Sequence, residues 1–79
     1  MRKELVSLSF NIAEHWVCPI EYGDYSGLEN FEIADLEAFL KRLPPNGYWE
    51  WDDHTHFASD AITGMMANCV DATYHIFGE

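Results

Sequence analysis

The chain has 79 residues, of which 48% are hydrophobic and 15% aromatic, and its formal net charge at pH 7 is -10. This length predicts one domain over residues 1–79, and the aromatic content excludes a disordered acidic tail. The negative charge excludes direct binding to nucleic acid and to anionic membranes, because both repel an acidic surface.

The first predicted element is a half-buried strand over residues 4–12. Its apolar residues alternate with polar ones, as one buried face of a sheet requires: Val6, Leu8, Phe10 and Ile12. A short helical turn around Trp16 follows, and we expect Pro19 to end it, because the residue before a proline is pushed out of helical geometry. Residues 22–27 are rich in turn formers and are predicted to be an ordered loop.

The main helix is predicted over residues 30–43. Apolar residues recur there at the spacing of one helical face: Ile33, Leu36, Phe39, Leu40 and Leu43. Asn30 or Ser26 is expected to cap its start, and the pair Lys41-Arg42 complements the negative end of the helix dipole. Pro44 and the proline after it stop the helix.

Two further strands are predicted, over residues 48–52 and 69–77, because apolar and polar residues alternate in both. The segment 53–68 between them is expected to be a long irregular connection. The order is therefore β-α-β-β. This order predicts a small α+β fold, a mostly antiparallel three-stranded sheet with one main helix on one face.

Acidic residues dominate the predicted surface, since lysine and arginine occur only in the dipeptides Arg2-Lys3 and Lys41-Arg42. If the apolar strand residues face the helix, the opposite sheet face is polar and negative. That face is predicted to bind a partner through four carboxylates: Glu50, Asp52, Asp53 and Asp71. Acids of the loop and the helix are predicted to form its rim: Glu21, Asp24, Glu29, Glu32, Asp35 and Glu37.

The sequence contains no recognisable catalytic motif, and we predict no enzyme and no cofactor. His15 and His75 stand alone, without a nucleophile and an orienting acid at a familiar spacing. His54 and His56 lie beside two aspartates and supply the ligand types of a transition-metal site. No second cluster adds ligands at a recognisable spacing, so no metal is predicted, and a small metal-binding protein stays open as an alternative.

Two cysteines, Cys18 and Cys69, are 51 positions apart and match neither a metal pattern nor a redox CxxC motif. We expect two reduced, mostly buried thiols in a cytoplasmic protein. Polar residues interrupt what would be a signal-peptide core near the start, so no export is expected. No apolar run has the length of a membrane span.

In size, charge and ring-rich α+β composition, the chain resembles the small acidic proteins of bacteriophages and mobile elements that mimic DNA, among them anti-CRISPR and anti-restriction proteins. This resemblance implies a non-enzymatic inhibitor in the bacterial host cytoplasm. Its partner would be a positively charged nucleic-acid-binding complex, most plausibly a CRISPR effector, whose DNA-binding groove the carboxylates would occupy.

A second resemblance, to an uncharacterised group of short phage and bacterial proteins, covers about half of the chain and implies no function. It rests on four short motifs: Trp16-x-x-Pro19, Gly23-Asp24-x-Ser26-Gly27-Leu28, Asp60-x-Ile62-Thr63-Gly64 and Cys69-Val70-Asp71-x-Thr73-Tyr74.

The alternative function is a small interaction or regulatory module whose acidity only keeps it soluble. Such a module would bind its partner through exposed rings, with Tyr25 or Tyr48 as the first candidates, since tyrosine is enriched at interfaces.

Overall fold

Three long antiparallel strands form one sheet, and helices lie on one side of it, in a computed structural model that describes residues 3–78. In chain order the elements are β1 (Lys3–Ala13), a 3-10 turn (Glu14–Trp16), α1 (Val17–Tyr22), α2 (Asn30–Lys41), β2 (Gly47–Ser59) and β3 (Met66–Gly78). The strand order is β1-β3-β2, so β3 is central and pairs antiparallel with both neighbours. The predicted small α+β fold is confirmed.

The main helix α2 lies where the 3.6-residue period predicts it, but its cap differs. The residue before the helix is Glu29, whose backbone is extended, and its N–H donates to Oε1 of Glu32 at 3.4 Å. Neither Asn30 nor Ser26 caps the helix, because Asn30 already belongs to its first turn. A glutamate three residues into a helix commonly satisfies the backbone N–H of the capping residue.

Pro19 does not end the short helix, contrary to the sequence prediction. It is the third residue of α1, which continues to Tyr22. A proline is tolerated there because the first backbone N–H groups of a helix have no partner inside the helix. The helix ends instead at Gly23, whose φ of 70° lies in the left-handed region and whose N–H donates to the Pro19 carbonyl.

The predicted long connection over residues 53–68 is also wrong. Strand β2 continues to Ser59, and β3 begins at Met66, so the two strands form a hairpin with a short loop. The pairing shifts between Trp51, opposite Ala72, and Thr55, opposite Val70, so β2 holds two more residues than β3 in this interval. The residues from Asp52 to His56, which span this bulge, are all polar, so the second half of the strand shows no apolar-polar alternation in the sequence.

Asp60 organises the loop of the hairpin and is 3% exposed. Its carboxylate accepts hydrogen bonds from the backbone of Ala13 at 3.4 Å and Ile62 at 3.1 Å, and from the Thr63 hydroxyl at 2.9 Å. Gly64 completes the loop with a φ of 76°, a conformation that L side chains rarely adopt. One motif of the second resemblance, residues 60–64, is therefore a turn tied to the end of β1.

The core lies between the sheet and the helices. Its buried cluster contains residues of β1, the 3-10 turn, α2 and β3: Ile12, Ala13, Trp16, Leu36, Phe39 and Ala72. Phe10, Trp49 and Trp51 pack against it from the sheet, so these residues face the helix as predicted. Val6 is 47% exposed and lies outside the cluster, because the helices do not cover the first part of β1. None of the described helices has the length and apolarity needed to cross a membrane.

Candidate interaction surface

The sheet face opposite the core carries polar and acidic side chains from all three strands. Because Phe10 and Ile12 face the core, their neighbours Ser7, Ser9 and Asn11 face away, and the strand pairing places residues of β3 and β2 beside them. We call this surface the acidic sheet face. It comprises Glu4, Ser7, Ser9, Asn11, Tyr48, Glu50, Asp52, Asp71, Thr73 and His75.

His75 lies between two carboxylates of this face. Its Nδ1 is 2.9 Å from Oε1 of Glu4 on β1, and its Nε2 is 2.7 Å from Oε1 of Glu50 on β2. The Tyr48 ring stacks on the imidazole with centroids 4.9 Å apart, and the His75 side chain is only 14% exposed. Hydrogen bonding to Glu50 raises the pKa of His75 above its ordinary value of 6.5, although burial acts in the opposite direction.

The Ser7 hydroxyl lies 3.1 Å from His75 Nδ1, so a serine, a histidine and a glutamate meet on this face. The arrangement does not activate the serine. Ser7 donates its proton to Glu4, and this bond lowers the pKa of Glu4 below 4.5. With a carboxylate at each nitrogen, the imidazole is favoured as a cation, which cannot accept a proton from Ser7. The cluster is an ion pair network.

This network predicts a pH-dependent contribution of His75 to stability. A raised histidine pKa stabilises the folded state below the ordinary value of 6.5, and that contribution is lost as the pH rises through the raised value. The lowered pKa of Glu4 stabilises the folded state above 4.5, and this contribution is lost as the pH falls through the lowered value. Both contributions to stability are therefore present between pH 4.5 and pH 6.5.

We expect His75→Gln to lower the melting temperature more at about pH 5.5 than at about pH 8.5. Thermal unfolding followed by circular dichroism at both pH values measures the difference between the two proteins. His15→Gln is the matched control, since His15 contacts Glu32 at 3.2 Å with its side chain 60% exposed, and solvated pairs contribute little. An equal loss for His75→Gln at both pH values would contradict the network.

A second cluster lies where the bulge of β2 meets β3. His54 Nδ1 is 2.6 Å from Oδ1 of Asp52, which also accepts the His54 backbone N–H at 3.3 Å. One ligand-type atom from each of Asp52, His54 and Asp71 lies within 4.8 Å of the others. His56 adjoins them, with Nε2 3.5 Å from Oδ1 of Asp71 and 3.2 Å from Oδ1 of Asn11.

All ion pairs formed within residues 3–78 join a histidine to a carboxylate. None of Lys3, Lys41 and Arg42 takes part in one, and the Arg42 guanidinium lies instead over the Phe39 ring, 5.9 Å from its centroid. The fixed positive charges of the described chain therefore do not neutralise the carboxylates by direct contact. Only the imidazoles do so, and the formal charge of -10 counts them as neutral.

The structure divides the predicted site residues into two groups. Glu50, Asp52 and Asp71 lie together on the acidic sheet face, and Asp53 is exposed in the bulge beside them. The predicted rim acids belong to α1, the following loop and α2, on the core side of the sheet: Glu21, Asp24, Glu29, Glu32, Asp35 and Glu37. A separate helix-side group replaces the expected continuous rim. Within it, the Ser26 backbone N–H lowers the pKa of Asp24.

Sequence reasoning missed Glu4 and His56 as members of the surface, and it placed His75 on the polar face without its carboxylate partners. The alternation in β1 places Glu4 on the same side as Val6, but a register shift between the two brings Glu4 to His75. His75 and His56 find their carboxylates on neighbouring strands, and only the strand pairing reveals such contacts. The polar alternation of β3 was the one sequence signal for His75.

Two adjoining hollows follow the middle of the acidic sheet face. One, of about 430 Å³, is lined by residues of β1 and β3, two of them apolar (Phe10 and Ala72), and the other, of about 280 Å³, by Glu50, Asp52 and their neighbours. Both include Asp71 and Thr73, so they form one shallow groove across the central strand. Its walls offer carboxylate, amide and hydroxyl groups to basic side chains.

An apolar patch lies where the start of α2 approaches the hairpin between β2 and β3. Phe31, Met65 and Met66 are 64%, 70% and 58% exposed and line a hollow of about 340 Å³, whose lining also includes Trp16. We call these three residues the Phe31 patch. Tyr48 is 52% exposed on the acidic sheet face, whereas Tyr25 packs against the core. Exposed apolar groups of this kind often mark contact sites.

Both cysteines are free, but their surroundings differ. Cys69 is buried, and burial raises the pKa of its thiol. Cys18 is exposed on α1, contrary to the expectation that both thiols are mostly buried.

Comparisons with protein-family models, curated proteins and solved structures gave no match for this chain.

Proposed function

We propose that the protein is an acidic inhibitor that imitates DNA and binds the basic DNA-binding groove of a bacterial defence complex. The observation that carries this proposal is the acidic sheet face, whose carboxylates have only histidines as ionic partners within the described chain. A cationic groove offers the arginine and lysine side chains that this surface lacks. A CRISPR effector in the host cytoplasm is the first candidate partner.

The spacing of the carboxylates suits contact with several basic side chains at once. Glu50 and Asp52 are two residues apart on β2, which corresponds to about 7 Å along a strand. Asp71 lies across the hydrogen-bonding direction on β3, about 5 Å from the neighbouring strand. Arginine pairs with carboxylates through two parallel hydrogen bonds, so each acid provides one strong contact.

The helix-side acids support the same function by a different route. They lie on the opposite side of the sheet from the proposed contact, so they add to the overall field rather than to the interface. A strongly negative field accelerates encounter with a basic partner and falls off over about 8 Å at physiological salt. We therefore assign Glu21, Asp35 and Glu37 to steering and Glu50, Asp52 and Asp71 to binding.

The proposed function is non-enzymatic, and two features of the surface support this. The serine beside His75 donates its proton to Glu4, and the groove is shallow and shared between strands. Small-molecule sites usually bury about 70–90% of their ligand in a cleft, which a shallow groove on a sheet face does not do.

Salt dependence tests the proposal. We expect the immobilised protein to bind purified, guide-loaded CRISPR effector complexes and to lose affinity by more than about tenfold between about 50 and 500 mM salt. Target DNA loaded first should exclude the protein. Binding that does not change with salt, or a complex containing both target DNA and the protein, would contradict DNA mimicry. Restriction endonucleases are tested in parallel as the second class of defence enzyme.

The Phe31 patch favours a second candidate function, a protein-interaction module that is acidic only for solubility. Its three exposed apolar side chains surround one hollow, as the anchors of a protein interface commonly do. Under this alternative, the double variant Phe31→Ser/Met66→Ser loses partner binding, and the affinity hardly depends on salt. Under DNA mimicry, that variant binds the effector as the unaltered protein does.

A further inference from the structure

We propose that Asp52, His54 and Asp71 bind one transition-metal ion of the Zn²⁺ class. This site goes beyond the proposed inhibitor function and does not depend on it. Its basis is the meeting of two carboxylates and one imidazole from two different strands, with one ligand-type atom of each within 4.8 Å of the others.

The separations fit a small tetrahedral ion after modest side-chain movement. Ligands at about 2.0–2.1 Å from Zn²⁺ in a tetrahedron lie about 3.3 Å from one another. The Asp52 to His54 contact of 2.6 Å must therefore open slightly, and Asp71 must move inward. All three side chains are exposed, so rotamer changes are not blocked by packing.

The local backbone supports this arrangement. Oδ1 of Asp52 accepts the His54 backbone N–H at 3.3 Å, which holds the two side chains close within the bulge. Hydrogen bonds of this kind orient metal ligands and are a regular part of metal sites. Asp71 comes from the central strand, which is paired on both sides and gives the site one fixed wall.

The ligand chemistry selects the class of ion. Imidazole nitrogen suits zinc, copper, nickel and cobalt, whereas Mg²⁺ and Ca²⁺ prefer a shell made of oxygen alone. His56 adjoins the site, with its Nε2 3.5 Å from Oδ1 of Asp71, but it does not belong to the group of ligand atoms within 4.8 Å of one another. Without His56, water completes the tetrahedron. The His75 cluster does not offer an equivalent site, because its two carboxylates lie at opposite nitrogens of one ring.

Titration of the purified protein with Co²⁺ and with Zn²⁺ tests the site. We expect one ion per chain, a visible Co²⁺ absorption band typical of tetrahedral coordination, and displacement of Co²⁺ by Zn²⁺. His54→Ala and Asp71→Asn should each weaken Zn²⁺ binding by more than about tenfold, measured by competition with a coloured chelator, since each removes one of three ligands. Circular dichroism verifies that each variant is folded, and Asp52→Asn replaces any variant that is not.

Two matched controls distinguish a specific metal site from the general affinity of histidine and acidic side chains for metal ions. His15→Ala removes a histidine paired with an acid away from the site, and Asp53→Asn removes the acid next to Asp52. Both should leave Zn²⁺ binding unchanged. Absence of binding in the unaltered protein, or an equal loss in the controls, would overturn the proposal. No defence complex is present in these titrations, so their outcome does not depend on the inhibitor function.

Discussion

The triple variant Glu50→Lys/Asp52→Lys/Asp71→Lys is expected to abolish binding to a basic DNA-binding groove. Each carboxylate contact with arginine or lysine is worth about 1.5–3 kcal/mol, so the loss of three contacts lowers affinity by more than about 1,000-fold. The new lysines also repel the cationic groove. Biolayer interferometry against a guide-loaded effector measures the loss, and recovery of DNA cleavage by that effector reports it independently.

The matched control changes the same charge on the other side of the sheet. In Glu21→Lys/Asp35→Lys/Glu37→Lys, as in the first triple variant, three acid-to-lysine changes add six charges and bring the formal net charge from -10 to -4. Because these acids belong to α1 and α2, this variant should slow association but keep most of the affinity. Equal losses in both variants would contradict a localised interface. Full binding by both would favour the Phe31 patch.

The sequence predicted the parts of the fold that have an uninterrupted period. Apolar and polar residues alternate without a break from Val6 to Ile12, and α2 shows a clear helical stripe, so both elements lie where they were expected. Strand β2 was cut short at Asp52 because the five residues from Asp52 to His56 are all polar and show no alternation. The prediction that Pro19 ends the short helix was wrong, because a proline breaks a helix at most positions but is tolerated in its first turn.

The acidic sheet face could be predicted only in part, because local alternation shows which side of a strand a residue lies on but not which strands pair. Strand alternation is enough to place Glu50, Asp52 and Asp71 on one face, since it depends only on neighbours in sequence. The partners of His75 depend on which strands lie side by side, and the order β1-β3-β2 is not visible in any local pattern. The separation of the helix-side acids follows from the packing of α2 on the apolar side of the sheet, which places its acids away from the acidic sheet face.

Trp16→Ala is expected to bring the protein close to unfolding. Trp16 is 1% exposed and is among the largest fully buried side chains. It lies in the 3-10 turn after β1 and packs in one cluster with Ile12 and Leu36, so it joins the sheet to α2. Replacing a buried tryptophan with alanine costs about 3–5 kcal/mol, and a domain of this length has only about 4–12 kcal/mol in total. Urea unfolding followed by far-UV circular dichroism measures the loss.

Trp16→Phe is the matched variant for this prediction. The indole Nε1 of Trp16 is buried and has no hydrogen-bond partner in the described part of the chain, so removing it leaves no acceptor unpaired. Phenylalanine keeps most of the apolar volume, and we expect a cost of about 1–2 kcal/mol, well below that of alanine. Since Trp16 holds the end of β1 against the helices, its loss should also loosen the sheet that carries the acids. A cost for Trp16→Ala no greater than that for Trp16→Phe would contradict this role.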